Sequence, residues 1–354
     1  MLFTVPTSNR KTVAEKLISI VSKEAAKIPD FRPGKSQDAI SLHDAIMSGL
    51  AVMHLKYPSL LQFDRDCVKK PDSKNPQYYH QLLACCLVKP GKKEVLPLMP
   101  EPIIQQVNAS KNDCEKTALK RLLSNISREH PHLKLVLNGD DLYSDGPTIN
   151  LVKSYGYSFI MVAKDTSHPS LYESVDELDK ADKVVRYQYT DEKGYRHWFR
   201  FVNDVPINKS HKETLVNYLE YVEIDPKGNK KYVNTWITDI KLTLENVAKV
   251  MRGGRARWKI ENETFNTLKT QGYHLEHNYG HGEQHLATNL ACLTFTAFLI
   301  NQIEQLACKF FLQALEAKKS KKRYGLGYEA YLTGFSSITG KMCTQRLLVA
   351  GVSA

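Results

Sequence analysis

The sequence predicts an α/β protein with a small all-helical start, and three observations carry that reading. First, the apolar run Leu133-Lys134-Leu135-Val136-Leu137 stops at Asn138-Gly139-Asp140-Asp141. A helix-like stretch from Pro147 to Ser154 and a second apolar run from Ser158 to Ala163 follow, the pattern of a β-α-β unit with parallel strands. Second, the pattern changes between Val184 and Asp239 to short β-rich segments dense in Tyr, Trp and Phe, broken by Asp225-Pro226-Lys227-Gly228. That stretch reads as an antiparallel insertion. Third, helical periodicity fills both flanks.

In chain order, residues 11 to 29 and 38 to 62 read as helices: Ile40, Leu42, Ile46, Leu50 and Met53 recur at helical spacing, and Asp30, Pro33 and Gly34 separate the two. Residues 64 to 77 are polar and rich in Pro and Lys, as in a linker. The run from Tyr78 to Val88, the loop Lys89-Pro90-Gly91-Lys92 and the run from Glu94 to Met99 read as a β-hairpin. A helix is expected from Asp113 to Ile126, with Asn112 or Asp113 as N-cap, acids early, and Lys120 and Arg121 later. After the β-rich stretch, helices are expected near Glu245, from Arg257 to about Lys269, and from about Glu283 to Ala317. Within the last, Gln284 to Ile303 carries no Asp, Glu, Lys or Arg and is long enough to span a bilayer. His285, Asn289, Asn301 and Gln302 make it a core helix instead, and no membrane partner is expected.

The chain has 354 residues, enough for one large domain or two ordinary ones. With 42% hydrophobic and 25% charged residues it is neither disordered nor collagenous. Its 49 Lys and Arg against 38 Asp and Glu leave a net charge of +11, which favours a polyanionic partner, nucleic acid before membrane. The seven cysteines contain no C-x-x-C pair and read as free thiols of a reducing compartment. Met1 to Lys11 has no apolar core of a signal peptide, so a cytoplasmic location is expected.

Two places carry chemistry. Asp140 stands at the carboxyl end of a parallel strand, where open α/β sheets place their ligands; a plain turn at Gly139-Asp140-Asp141 is the competing reading. The second place is Lys249 to Lys259, with five cations and no acid, followed directly by Glu261 and Glu263. On a helical wheel with Arg257 at zero, Glu261 falls at about 40°, among Leu268, Phe265 and Trp258, and Glu263 at about 240°. Glu261 is therefore expected to face inward and to meet Arg257 one turn earlier, as an ordinary helix salt bridge also would. A strand-end Asp and a helical Glu in a basic α/β protein suit Mg²⁺ or Mn²⁺ held for phosphoryl transfer on nucleic acid.

The run from Arg257 to Lys269, continuing from Leu275 to Gly282, resembles the carboxy-terminal catalytic signature of DDE transposases of the insertion-sequence-four type. Tyr78-Tyr79-His80-Gln81, Lys89-Pro90-Gly91, Pro100-Glu101, Asp113-Cys114-Glu115, Asp140-Asp141-Leu142-Tyr143-Ser144 and Trp236-Ile237-Thr238-Asp239 are similar to successive blocks of that family. The resemblance implies a ribonuclease-H-like core with a β-rich insertion between its second and third acids. It implies two metal ions, Mg²⁺ or Mn²⁺, about 3.5 to 4 Å apart and held by Asp, Asp and Glu. It also implies DNA, both element ends and target, as partner, with a homodimer as the acting form. Asp140 would be the second acid and Glu261 the third, both metal ligands, with Glu263 as the alternative. Arg255, Arg257, Lys259 and Lys269 would contact DNA phosphate or support the glutamate. The chain departs from the motif at Gly254, where the family has Tyr, and at Lys269, eight residues beyond Glu261 instead of seven.

The resemblance also implies a central first strand ending in the first acid, before the hairpin. Here Leu60-Leu61-Gln62-Phe63-Asp64 passes almost directly into Tyr78-Tyr79-His80, as though that segment were deleted. None of Asp64, Asp66 or Asp72 ends an apolar run, so none takes the role. The expected layout is a helical region at 1–63, a linker at 64–77, the first part of the catalytic core at 78–183, the insertion at 184–239, the rest of the core at 240–317 and a basic tail at 318–354. Two functions follow: a transposase that cuts and joins DNA, or an internally deleted remnant that at most binds it.

Overall fold

A computed structural model describes residues 13–31, 41–55, 80–104, 113–209, 211–277, 285–308 and 312. The linker, Tyr78 and Tyr79, Asp64, Asp66 and Asp72, and the basic tail lie outside them. Along the chain come α1 (Val13–Ala25), α2 (Leu42–Leu55), β1 (Gln81–Leu83), β2 (Cys86–Val88), β3 (Val95–Pro97) and β4 (Glu101–Ile103). Then follow α3 (Glu115–Glu129), β5 (Val136–Gly139), α4 (Gly146–Ser154), β6 (Ser158–Val162) and α5 (Pro169–Lys180). Strands β7 (Val185–Thr190), β8 (Arg196–Pro206), β9 (Leu215–Ile224) and β10 (Lys230–Thr238) lead to α6 (Val247–Arg255), α7 (Asn266–Thr270) and α8 (Leu286–Ala307). The chain divides into two compact units, one of residues 1–87, 93–102 and 262–354, the other of 88–92 and 103–261.

The second unit holds a mixed six-stranded sheet ordered β5-β6-β10-β9-β8-β7. The β-α-β expectation holds: β5 and β6 run parallel, Val136 opposite Ser158 and Gly139 opposite Met161. Strand β5 lies later than its apolar run because β6, which sets its register, starts only at Ser158, after the turn at Gly156. The tyrosine-rich strands are antiparallel, as expected, but they extend the same sheet, β10 pairing with β6. The Trp236-Ile237-Thr238-Asp239 block explains the join. Thr238 Oγ1 donates to the Phe159 carbonyl at 2.6 Å and Asp239 accepts from the Phe159 amide at 3.0 Å.

Both faces of this sheet are covered, which is why Phe159 to Val162 are all buried. On one face Val247, Val250 and Met251 of α6 meet Ile160, Val162, Leu219, Tyr221 and Trp236; burying side chains of this size stabilises by roughly 1.5–3 kcal/mol each. Tyr172 of α5 stands edge-on to Tyr218 on the other face. Helix α5 has no counterpart in the sequence reading, although Pro169 at its first turn and Leu171 and Val175 four apart are its signature. The cap of α3 is Cys114, not Asn112 or Asp113. The Asp113 carboxylate is drawn off to Arg121 at 2.7 Å and to the Ile104 amide at 3.1 Å.

In the first unit the expected hairpin is two short pairings, β2 with β3 and β1 with β4. Helix α8 packs with α1, α2 and β3. It is long and apolar enough to cross a membrane, yet its buried amides are bonded within the protein and its glutamate lies beside a histidine. Gln302 accepts from the Val95 amide at 3.1 Å, Asn301 meets the Tyr273 hydroxyl at 2.5 Å, and Glu304 lies 3.8 Å from His54. None of the five described cysteines is in a disulfide among the described residues.

Candidate functional site

The site is built where the short strand β5 ends. Gly139 is buried against Tyr143 and Met161, and the chain then turns through a 3₁₀ segment, Asp141–Tyr143. Asp140 caps that turn, its carboxylate accepting from the Leu142 amide at 3.0 Å, and stays exposed. Asp141 is the aspartate tied down: it accepts from the Lys164 amide at 2.8 Å and from Ser167 Oγ at 2.5 Å, with His168 Nε2 at 3.7 Å. Burial pushes the His168 imidazole below its ordinary value, against the pull of Asp141 and Asp145. Nothing in the alternation of side chains foretold this network, because Asp141 leaves the strand before alternation applies.

The strand is joined to helix α6 by Asn138, whose Nδ2 donates to the carbonyls of Gly253 at 2.6 Å and Gly254 at 3.3 Å. The two glycines let the helix end press onto the sheet. A Cβ at Gly254 would stand 2.6 to 2.8 Å from the indole of Trp236, so no larger side chain has room there.

Beyond α6 the chain runs through a 3₁₀ turn, Ala256–Trp258, and a π segment, Ile260–Phe265. This overturns the inward placement of Glu261, whose side chain is 60% exposed and paired with Arg257 at 2.7 Å. The wheel assumed 3.6 residues per turn throughout, and a π turn holds more, so the faces rotate. Glu263 is half-buried and Thr264 takes the buried position.

The basic run does not present five free cations. Arg255 bonds Glu223 at 2.6 Å and lies 4.4 Å over the Tyr232 ring. Burial alone would raise the Glu223 carboxyl, but the hydrogen bonds from Arg255 and Tyr221 hold it below the usual glutamate range. Lys259 is buried and donates to the carbonyls of Lys89, at 2.8 Å, and Lys92, closing the Pro-Gly turn. Arg257 is held by Glu261, whereas Lys249 and Arg252 are exposed and no hydrogen bond or ion pair holds them among the described residues. Lys269 pairs with Glu276 at 2.6 Å in the first unit.

Asp140 and Glu261 are exposed oxygen donors of the kind Mg²⁺ or Mn²⁺ takes, and one such ion needs only one or two carboxylates with water around it. The Arg257–Glu261 pair, exposed and one helical turn apart, is a weak competitor. Among the described residues no group of three or more His, Cys, Asp or Glu is placed to hold a metal, so the donors of a two-ion centre are not assembled there. No family model matches the chain, and no curated protein matches it.

Proposed function

We propose that the chain is a DNA-acting protein of the transposase type with a ribonuclease-H-like core, working in the cytoplasm on element ends and a target, as a homodimer. Asp140 and Glu261 are two acids of its strand-cutting site, and Mg²⁺ or Mn²⁺ is the ion. The observation that carries this reading is the bond from Asn138 to the carbonyls of Gly253 and Gly254. It ties the strand that ends in Asp140 to the helix end from which Arg257 and Glu261 follow.

Asp140 and Glu261 would hold the ion, which when bound supplies positive charge against a phosphodiester. The chain's own part is to keep Asp140 exposed at the sheet edge, to hold Glu261 through Arg257 until an ion competes, and to offer Lys249 and Arg252 to backbone phosphates.

A second reading, an internally deleted copy that binds DNA without cutting it, is favoured by β5 standing at the end of the sheet. In a ribonuclease-H-like sheet the strand with the first acid would pair there. Incubation with DNA carrying the element ends separates the two. Mg²⁺-dependent nicking that is lost in Asp140→Ala and in Glu261→Ala supports the cutting enzyme. Salt-sensitive binding without nicking supports the deleted copy, and the absence of both sinks the proposal.

A further inference from the structure

We propose that His168 is an acid-sensitive latch: neutral, its imidazole locks the turn after β5 to the start of α5, and a proton on the ring releases the two. The proposal goes beyond the reading of the chain as a DNA-cutting protein and needs no ion at Asp140. The lock is a chain of two bonds. Ser144 Oγ donates to the Asp141 carbonyl at 2.7 Å and lies 2.6 Å from His168 Nε2. A hydroxyl has one proton, so with that proton on the carbonyl Ser144 accepts from the ring, and Nε2 carries the hydrogen. Ser144 is fully buried and His168 is 7% exposed, so neither reaches water while the turns are closed.

A charge on this ring is poorly placed. His168 is the N-cap of α5, its carbonyl accepting from the Leu171 and Tyr172 amides at 3.1 and 3.2 Å, and a cation there opposes the positive end of the helix. Two carboxylates of the facing turn attract it, but both are engaged. Asp141 Oδ1 is 3.7 Å from Nε2 and already accepts from the Lys164 amide at 2.8 Å, while Asp141 Oδ2 accepts from Ser167 Oγ. Asp145 is bonded to Lys116 of α3 and to the Thr148 amide at 2.8 Å, and the His211 ring lies against Gly146 beside it. Lys164 and Asp165, in the turn that leads to His168, are exposed. Burial outweighs both carboxylates and holds the imidazole below its ordinary value. The latch therefore contributes stability that is full above the ordinary histidine value of about 6.5 and is lost as pH falls from there towards the lowered one. The parallel strands β5 and β6 put both turns at one edge of the sheet, so its release frees the turn that carries Asp140.

The test follows amide hydrogen exchange in residues 140–145 and 164–172 of the full chain, at about pH 7.5 and about pH 5.5, corrected for the intrinsic pH dependence of exchange. Protection of these turns in the wild type is expected to fall by up to about tenfold, the most that one bound proton gives over one pH unit below 6.5. His168→Gln offers an amide nitrogen in place of Nε2 and takes no proton, so its protection should stay level. Level protection in the wild type overturns the proposal. An equal fall in His168→Gln overturns it too, by assigning the acid response to Asp141 and Asp145. If His168→Gln does not fold, nitrogen NMR of the wild-type imidazole decides. A neutral Nε2–H ring that gains its proton as exchange rises supports the latch, and a ring already charged at neutral pH, or with its hydrogen on Nδ1, overturns it. Neither measurement contains DNA or a metal, so a failure to nick DNA and a failure of the latch are read separately.

Discussion

Replacing Gly254 by Ala tests the junction on which the site is built. The added methyl would meet Nε1, Cε2 and Cδ1 of Trp236 at 2.6 to 2.8 Å. The indole is fully buried and rigid at those atoms, so the strain belongs at the upper end of the overpacking range, about 3 kcal/mol. Ala is a better helix former than Gly by about 1 kcal/mol, which leaves a net loss of about 2 kcal/mol. Gly253→Ala is the control. Its methyl would meet only the terminal Cδ1 of Ile160, at 2.9 Å, and that group can swing aside. A strain of about 1 kcal/mol cancels the helical gain there. All three tryptophans, Trp198, Trp236 and Trp258, lie in the second unit, so their fluorescence in urea reports the unfolding of that unit. With a slope of about 2 kcal/mol per molar, Gly254→Ala should lower the midpoint by about 1 M and Gly253→Ala by almost nothing. Equal midpoints for wild type and Gly254→Ala would refute the close approach of helix and sheet.

Three further predictions concern the charges. Lys249→Ala and Arg252→Ala should each weaken DNA binding and lower the slope of log affinity against log salt by about 1. Lys259→Met should leave that slope alone and destabilise the second unit by about 1–3 kcal/mol in a urea melt, because the carbonyls of Lys89 and Lys92 lose their donor. Glu223 has a lowered folded pKa, so its bond to Arg255 contributes stability that is full above the ordinary glutamate value and is lost as pH falls through the lowered one. Arg255→Ala should therefore cost about 1.5–3 kcal/mol near neutral pH, and the gap to wild type should close in acid; a gap independent of pH would count against the pair.

Much of the site's frame is legible along the chain because it depends on near neighbours. The apolar run that ends at Asn138-Gly139-Asp140, the helix opened by Asp145 and Pro147, and the second run from Ser158 make a β-α-β unit by local pattern alone, and they place Asp140 at a strand end. The same pattern shows tyrosine-rich antiparallel strands and a long core helix with buried amides.

What the tertiary structure decided is which charges are spent inside the protein and which way the acids face. Arg255 finds Glu223 and Lys259 finds the Lys89 turn, partners 32 and 170 residues away in sequence, so the run from Lys249 to Lys259 shows solvent fewer free cations than its composition promises. The π segment, which the local spacing of apolar residues does not record, accompanies the outward placement of Glu261. Strand β10 joins β6 because Thr238 and Asp239 reach Phe159 across about eighty residues. Sequence spacing records the periodicity of each element, whereas ion pairs and sheet order depend on which distant surfaces meet, and only the folded chain brings those together.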